Sequence, residues 1–184
     1  MKFSFSPRAG PGAGQPVAAL PDPPDAPLRN VSILTTGPAA GHGVWADRAL
    51  VQQLVVAGNA APHGIKARFG HPAFGADPVG SELGVFRQFR LRFAGPGPEP
   101  ALDTWQAVAD LHWQPTPLNA PAIAHLLSLA RAAPHLVGAS VEFTPAPAAP
   151  PENPLGYPHE RLAQLLAIAL TSDPACNPGG LLAR

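Results

Sequence analysis

Two residues have the type and setting for acyl-transfer chemistry. Ser140 lies in the apolar run Leu136 to Phe143 (LVGASVEF), directly after Gly138 and Ala139, and His71 follows the alternating segment Gly64 to Phe69 (GIKARF). A serine hydroxyl is a poor nucleophile until a base takes its proton, and a histidine that titrates near neutrality is the usual base. Three carboxylates are candidates to orient such a histidine: Glu142, Asp110 and Asp173. Glu142 is two residues from Ser140, and side chains two apart on a strand project from the same face. Each residue also has an ordinary reading. A serine after glycine suits tight packing, a histidine before Pro72 suits a loop, and a carboxylate on a strand suits solvent. GASVE lacks the second glycine of the G-x-S-x-G nucleophile elbow, which argues against an α/β-hydrolase.

Other chemistries find less support. The histidines (His42, His63, His71, His112, His125, His135, His159) are scattered, with neither an H-E-x-x-H spacing nor paired cysteines, so no metal is expected. The single Cys176 cannot form an internal disulfide and fits a reducing compartment. The glycine-rich stretch Gly37 to Gly43 lacks the Lys-Ser/Thr of a P-loop and the G-x-G-x-x-G register, and reads as a turn. No cofactor is expected. Twelve basic side chains balance twelve acidic ones, leaving no field to gather nucleic acid or anionic lipid. Apolar runs fall short of the roughly 18 residues a membrane span requires. The N-terminal MKFSFSPRAGPG lacks the continuous apolar centre of a signal peptide. These features point to a soluble intracellular protein.

The elements that must hold the candidate residues can be read from periodicity. Val31 to Thr35 is β-branched and predicts a strand, and Asp47 stands where a helix N-cap belongs. In Arg48 to Ala57 the residues Leu50, Val51, Leu54 and Val55 recur at helical spacing, and Gly58 is a stop signal. Gly64 to Phe69 alternates as a half-buried strand that ends at His71. Gly84 to Phe93 (GVFRQFRLRF) predicts a strand whose faces switch at a bulge. Trp105 to Trp113 predicts another strand, with Asp110 and His112 on one face. Ala122 to Ala132 carries the strongest helical stripe, Ile123, Leu126, Leu127 and Ala130. Leu136 to Phe143 returns to strand character, and the stretch from His159 or Glu160 to Leu170 reads as helical or extended.

The chain contains 26 prolines and 18 glycines, dense in its first 27 residues and again between Pro145 and Pro158. Residues 1–28 are therefore expected to be a disordered arm, and residues 29–184 one domain with a Pro-rich loop at 145–158. Charged residues make up only 13% of the chain, which favours contacts with other proteins over a strongly solvated surface. Short strands broken by two helices, without regular strand–helix alternation, predict an α+β fold. Its centre would be a closed or strongly bent, mainly antiparallel β-barrel with flanking helices.

Several segments in order resemble the prohead (capsid maturation) protease family of tailed phages, which is related in fold to the herpesvirus assemblin protease. They are Asn30 to Asp47 (NVSILTTGPAAGHGVWAD), Gly64 to Pro72 (GIKARFGHP), Val108 to Thr116 (VADLHWQPT), His135 to Phe143 (HLVGASVEF) and Ser172 to Leu182 (SDPACNPGGLL). The resemblance spans roughly residues 29–182. It implies a herpesvirus-protease-like fold and a serine endopeptidase that processes scaffold and capsid proteins, with self-cleavage as a further family trait. By the family pattern His71 is the general base and Ser140 the nucleophile. Relatives carry His, Glu or Asp on a later strand to orient the base, but the matching stretch Leu165 to Leu170 (LLAIAL) has no ionisable residue. Glu142 is the first substitute, with Asp110 and Asp173 as alternatives. The implied partners are the major capsid protein and the scaffold protein, with a homodimer as a further option. The implied place is the bacterial cytoplasm, inside an assembling procapsid. Two rival readings stand beside this one: a non-catalytic assembly or scaffolding module that keeps the fold, and an unrelated soluble binding domain.

Overall fold

The computed structural model describes residues 26–39, 42–70, 81–97, 102–150, 153–172, 174, 176 and 180–182. In chain order the elements are β1 (Leu28–Thr35), β2 (Gly37–Ala39), β3 (Val44–Ala46), α1 (Arg48–Ala60), β4 (Ile65–Phe69), β5 (Glu82–Gly95) and β6 (Thr104–Trp113). Then come α2 (Ala120–Ala132), a 3-10 turn (Pro134–Leu136), β7 (Gly138–Ala149) and β8 (His159–Thr171). The strands form one sheet in the order β1-β6-β5-β4-β8-β3-β2, with β7 on the other edge of β8. Two pairings with β8, from β3 and β4, are parallel, and the rest are antiparallel. The protein is mostly β, a strongly curled half-barrel sheet with two helices, in agreement with the bent barrel expected.

The curl has local causes. Halfway along β5 the register to β6 slips between Arg87 and Arg90, and Gln88 takes a positive φ of 55°. This is the bulge the faces of GVFRQFRLRF require. Its loose backbone groups are met from α1, because the Asn59 amide donates to the Phe89 carbonyl (2.8 Å) and accepts from the Phe89 N–H (2.9 Å). Beside it Gly58 presses against the Phe89 ring, and a Cβ there would come within 2.5 Å of Cδ2. Gly58 thus serves close packing two residues before the end of the helix at Ala60, rather than stopping it.

Helix α1 starts as its residues dictate. The Asp47 carboxylate accepts from the Leu50 N–H at 2.9 Å, and Leu50, Val51 and Leu54 go into the core. The core also takes Ile33, Phe86, Leu111, Ile123, Ile168 and Leu170. The C-terminal residues span the gap between the first strand and β7. Thr35 N–H donates to Cys176 O (2.9 Å) and Ser32 N–H to Leu181 O (3.0 Å), while Leu181 N–H donates to Val137 O (2.6 Å). Leu181 itself is completely buried.

Two boundaries differ from expectation, and one open reading is resolved. Strand β7 runs on to Ala149 against β8, through Pro145 and Pro147, so the connection to β8 begins only at Pro150 rather than at 145. Proline lacks the N–H that a strand paired on both sides needs, and β7 is paired only with β8. Its register slips at Thr144/Pro145 and again after Ala146. The Gly37–Gly43 stretch contributes β2 to a hairpin with β3, narrowing the expected turn. The ambiguous segment from His159 is extended throughout. The arm expected at 1–28 falls outside the described residues up to residue 25, and β1 opens at Leu28.

Candidate functional site

Strand β8 is the spine of the candidate site. Its C-terminal half has β4 on one side and β7 on the other, so residues of all three strands line up in rows. Arg68 pairs with Ala169, which pairs with Ser140; Lys66 pairs with Ala167, which pairs with Glu142. The intervening rows hold Ala67, Ile168, Leu170 and Ala139, all in the core. Alternation therefore turns Arg68, Ser140 and Glu142 to the outer face of the sheet. Ser140 is half-buried there.

An ion pair crosses this face. Arg68 Nη1 lies 3.2 Å from Glu142 Oε2, so the guanidinium from β4 and the carboxylate from β7 meet over β8. Ala167 and Ala169, beneath, are completely buried. Their methyl groups leave room for the bridge, and larger side chains would fill it. The Arg68 and Glu142 side chains are only 16% and 21% exposed, so the pair is partly desolvated. Arg68 Nε is buried without a hydrogen-bond partner among the described residues.

A cavity of about 300 Å³ adjoins the same segment of β7, between β1 and the β2–β3 hairpin. Leu34, Val44 and Phe143 line it, together with Ser140, His42 and Cys176. Its size is at the small end of ligand pockets. Burial pushes the Cys176 thiol up to about 11, so it stays protonated at neutral pH and is a weak nucleophile.

The remaining sequence candidates divide. His71 and Asp173 lie outside the described residues. The residue before His71 is placed: Gly70 N–H donates to Leu170 O at 2.9 Å, which ties the end of β4 to β8 beside Ala169. Asp110 sits on β6, four strands from β7 in the sheet order. It is committed elsewhere, accepting from Arg90 and from the Asn30 N–H (3.0 Å), with Arg29 at 3.6 Å. Burial alone would raise its pKa, but these partners outweigh that and hold the carboxyl below the ordinary aspartate value. The structure thus brings Glu142, and not Asp110, to the face that carries Ser140.

A second polar cluster joins α1 to the start of β8. Asp47 accepts from both terminal nitrogens of Arg161 (3.0 and 2.8 Å) and lies 3.0 Å from His159 Nδ1. Burial would raise the Asp47 pKa, yet the Leu50 N–H and Arg161 lower it below the usual value. The cluster holds the helix N-terminus against the strand. Sequence reading had placed Asp47 only as a cap. Likewise it saw Arg68 only as the polar face of a strand, because nothing local to either residue names its partner.

Among the described residues no group of three or more His, Cys, Asp or Glu is arranged to hold a metal, and no helix is long and apolar enough to cross a membrane. Compared with protein-family models, curated proteins and solved structures, the chain has no match.

Proposed function

We propose that this chain is a serine endopeptidase of the prohead-protease type, with a herpesvirus-protease-like fold, acting on scaffold and capsid proteins during phage head maturation. The observation that carries the reading is the shared outer face of β4, β8 and β7. Ser140 and Glu142 lie on it two residues apart, in register through β8 with the strand that leads to His71.

In this reading His71 takes the Ser140 hydroxyl proton as Oγ attacks the scissile carbonyl carbon. The tetrahedral oxyanion is met by backbone N–H groups, the C–N bond breaks, and His71 returns the proton to the leaving amine. Water then attacks the Ser140 ester by the reverse proton path, releasing the acid and restoring the serine. Glu142 is the carboxylate that orients the base. The partners are the major capsid and scaffold proteins, the place is the procapsid assembling in the bacterial cytoplasm, and self-cleavage is part of the proposal.

One observation favours a second reading, a non-catalytic assembly module. The row where an acid is expected on β8 holds only Ala167 and Ala169, and the Glu142 carboxylate already meets Arg68. The two readings separate on reaction with a fluorophosphonate probe. The endopeptidase gains the adduct mass on the peptide containing Ser140, and heat-denatured protein does not. An unmodified native protein at the same probe concentration supports the assembly module.

A further inference from the structure

The cavity beside β7 carries a charge that its apolar walls leave unmatched. Leu34, Val44, Leu50 and Phe143 line it, yet so does Glu160, and no Lys or Arg is among its lining residues. The strand dictates this placement. His159 and Arg161 both turn to Asp47, so alternation along β8 turns Glu160 to the opposite face, against the cavity. Glu160 is half-buried, and its carboxylate forms no ion pair or hydrogen bond among the described residues. Arg161, its neighbour in the chain, is committed to both oxygens of Asp47. A half-desolvated, unpaired carboxylate beside apolar walls is complemented by a cation on an aliphatic stem.

Strand β7 runs along the same cavity and pairs only with β8. The C-terminal bridge from β1 reaches it only at its start, where Leu181 N–H donates to Val137 O and Pro174 packs on Gly138. From residue 139 to 144 the backbone bonds to β8 and to no other segment among the described residues. Pro145 and Pro147 end the stretch that can take a further strand, since neither has an N–H to donate. A short unpaired edge of this kind accepts an extended peptide, with main-chain bonds for affinity and an adjoining pocket for specificity. We propose that the cavity and the free edge of β7 form one peptide-binding site. An extended segment of a partner protein lies along residues 139–144 and puts a basic side chain into the cavity, its stem against Leu34, Val44 and Phe143 and its cation on Glu160. The chain has no net formal charge, so a preference for cations must come from this carboxylate rather than from a general field. The site does not rest on the endopeptidase reading and serves an assembly module equally. The plain alternative is a packing void with a solvated strand carboxylate at its side.

The test titrates the full chain with the end-capped peptide Thr-Val-Lys-Val-Thr, with its analogue carrying norleucine in place of lysine, and with n-butylammonium, which is the lysine side chain alone. Two readouts locate binding: amide shifts of β7 in heteronuclear NMR, and the rate at which a neutral disulfide reagent modifies Cys176, the single cysteine and a lining residue of the cavity. The lysine peptide should bind the wild type about 10-fold more tightly than the norleucine peptide, the advantage of a charge-assisted contact. It should shift the β7 amides, slow Cys176 modification as it saturates, and bind more tightly than n-butylammonium. In Glu160→Gln, checked for folding by circular dichroism, the lysine and norleucine peptides should bind alike. Equal affinities for the two peptides in the wild type, or a lysine advantage that survives in Glu160→Gln, would remove Glu160 from the site. If n-butylammonium binds as tightly as the peptide, the cavity takes a free amine and the β7 edge is no docking strand. Binding that leaves Cys176 and the β7 amides unchanged, or no binding of either peptide, would overturn the proposal.

Discussion

Replacing Gly58 with alanine sets two effects of opposite sign against each other. Within a helix, Gly→Ala stabilises by about 1 kcal/mol through backbone entropy. At this position the new methyl would stand 2.5, 2.6 and 2.7 Å from three carbons of the Phe89 ring, where ordinary contact begins near 3.4 Å. The ring cannot withdraw cheaply. Phe89 is almost fully buried, and the Asn59 amide pins its backbone through two hydrogen bonds at the β5 bulge. Overpacking of this kind costs about 1–3 kcal/mol, and a clash of nearly 1 Å against a clamped neighbour belongs at the upper end. The net destabilisation is about 1–2 kcal/mol, which for a chain of this size lowers Tm by about 2–8 °C. Thermal unfolding followed by circular dichroism measures it. A Tm raised by a few degrees, as helix propensity alone dictates, would refute the packing argument and with it the account of how α1 fixes the bulge.

Other consequences follow from the same structure. Leu181→Ala removes a completely buried side chain from the segment that bridges β1 and β7, and should cost about 2–5 kcal/mol in denaturant titration; a loss below about 1 kcal/mol would mean the segment is not part of the folded core. Asp47 and Asp110 both have lowered pKa values, so their stabilisation is complete above the unfolded aspartate pKa of about 3.9 and is lost as pH falls through the folded values. Tm should therefore be flat from neutrality to about pH 5 and fall below about pH 4, with a shallower fall in the Asp47→Asn/Asp110→Asn double variant. Cys176, with its thiol near 11, should react with a disulfide reagent at pH 8 far more slowly in the native protein than in urea; equal rates would contradict its burial.

Much of the scaffold was legible because its signals are local. Asp47 and the Leu50, Val51, Leu54 stripe mark α1, the alternation of GIKARF marks β4, and the awkward parity of GVFRQFRLRF marks a bulge found at Gln88. Where the signal depends on neighbours, reading failed. LLAIAL is apolar without a period, since its core face carries Ile168 and Leu170 and its outer face Ala167 and Ala169 under an ion pair. Pro145 and Pro147 look like loop residues, and only the unshared edge of β7 explains a strand there. Of the site, Ser140 and Glu142 could be joined by their two-residue spacing. The link from Arg68 to Glu142 spans 74 residues and exists only through the register of two strands on a third. Asp110 stood as an alternative acid until the strand order put it on β6 with Arg90.

The central claim is that Ser140 is the nucleophile of a peptide-bond hydrolase. It is tested most directly by co-expressing the chain with the capsid and scaffold proteins proposed as its substrates and measuring intact masses. Wild type should yield defined, shortened capsid or scaffold chains, and Ser140→Ala should leave them at full length while remaining folded. Full-length chains with both forms, or the same shortened chains with both, would contradict the claim.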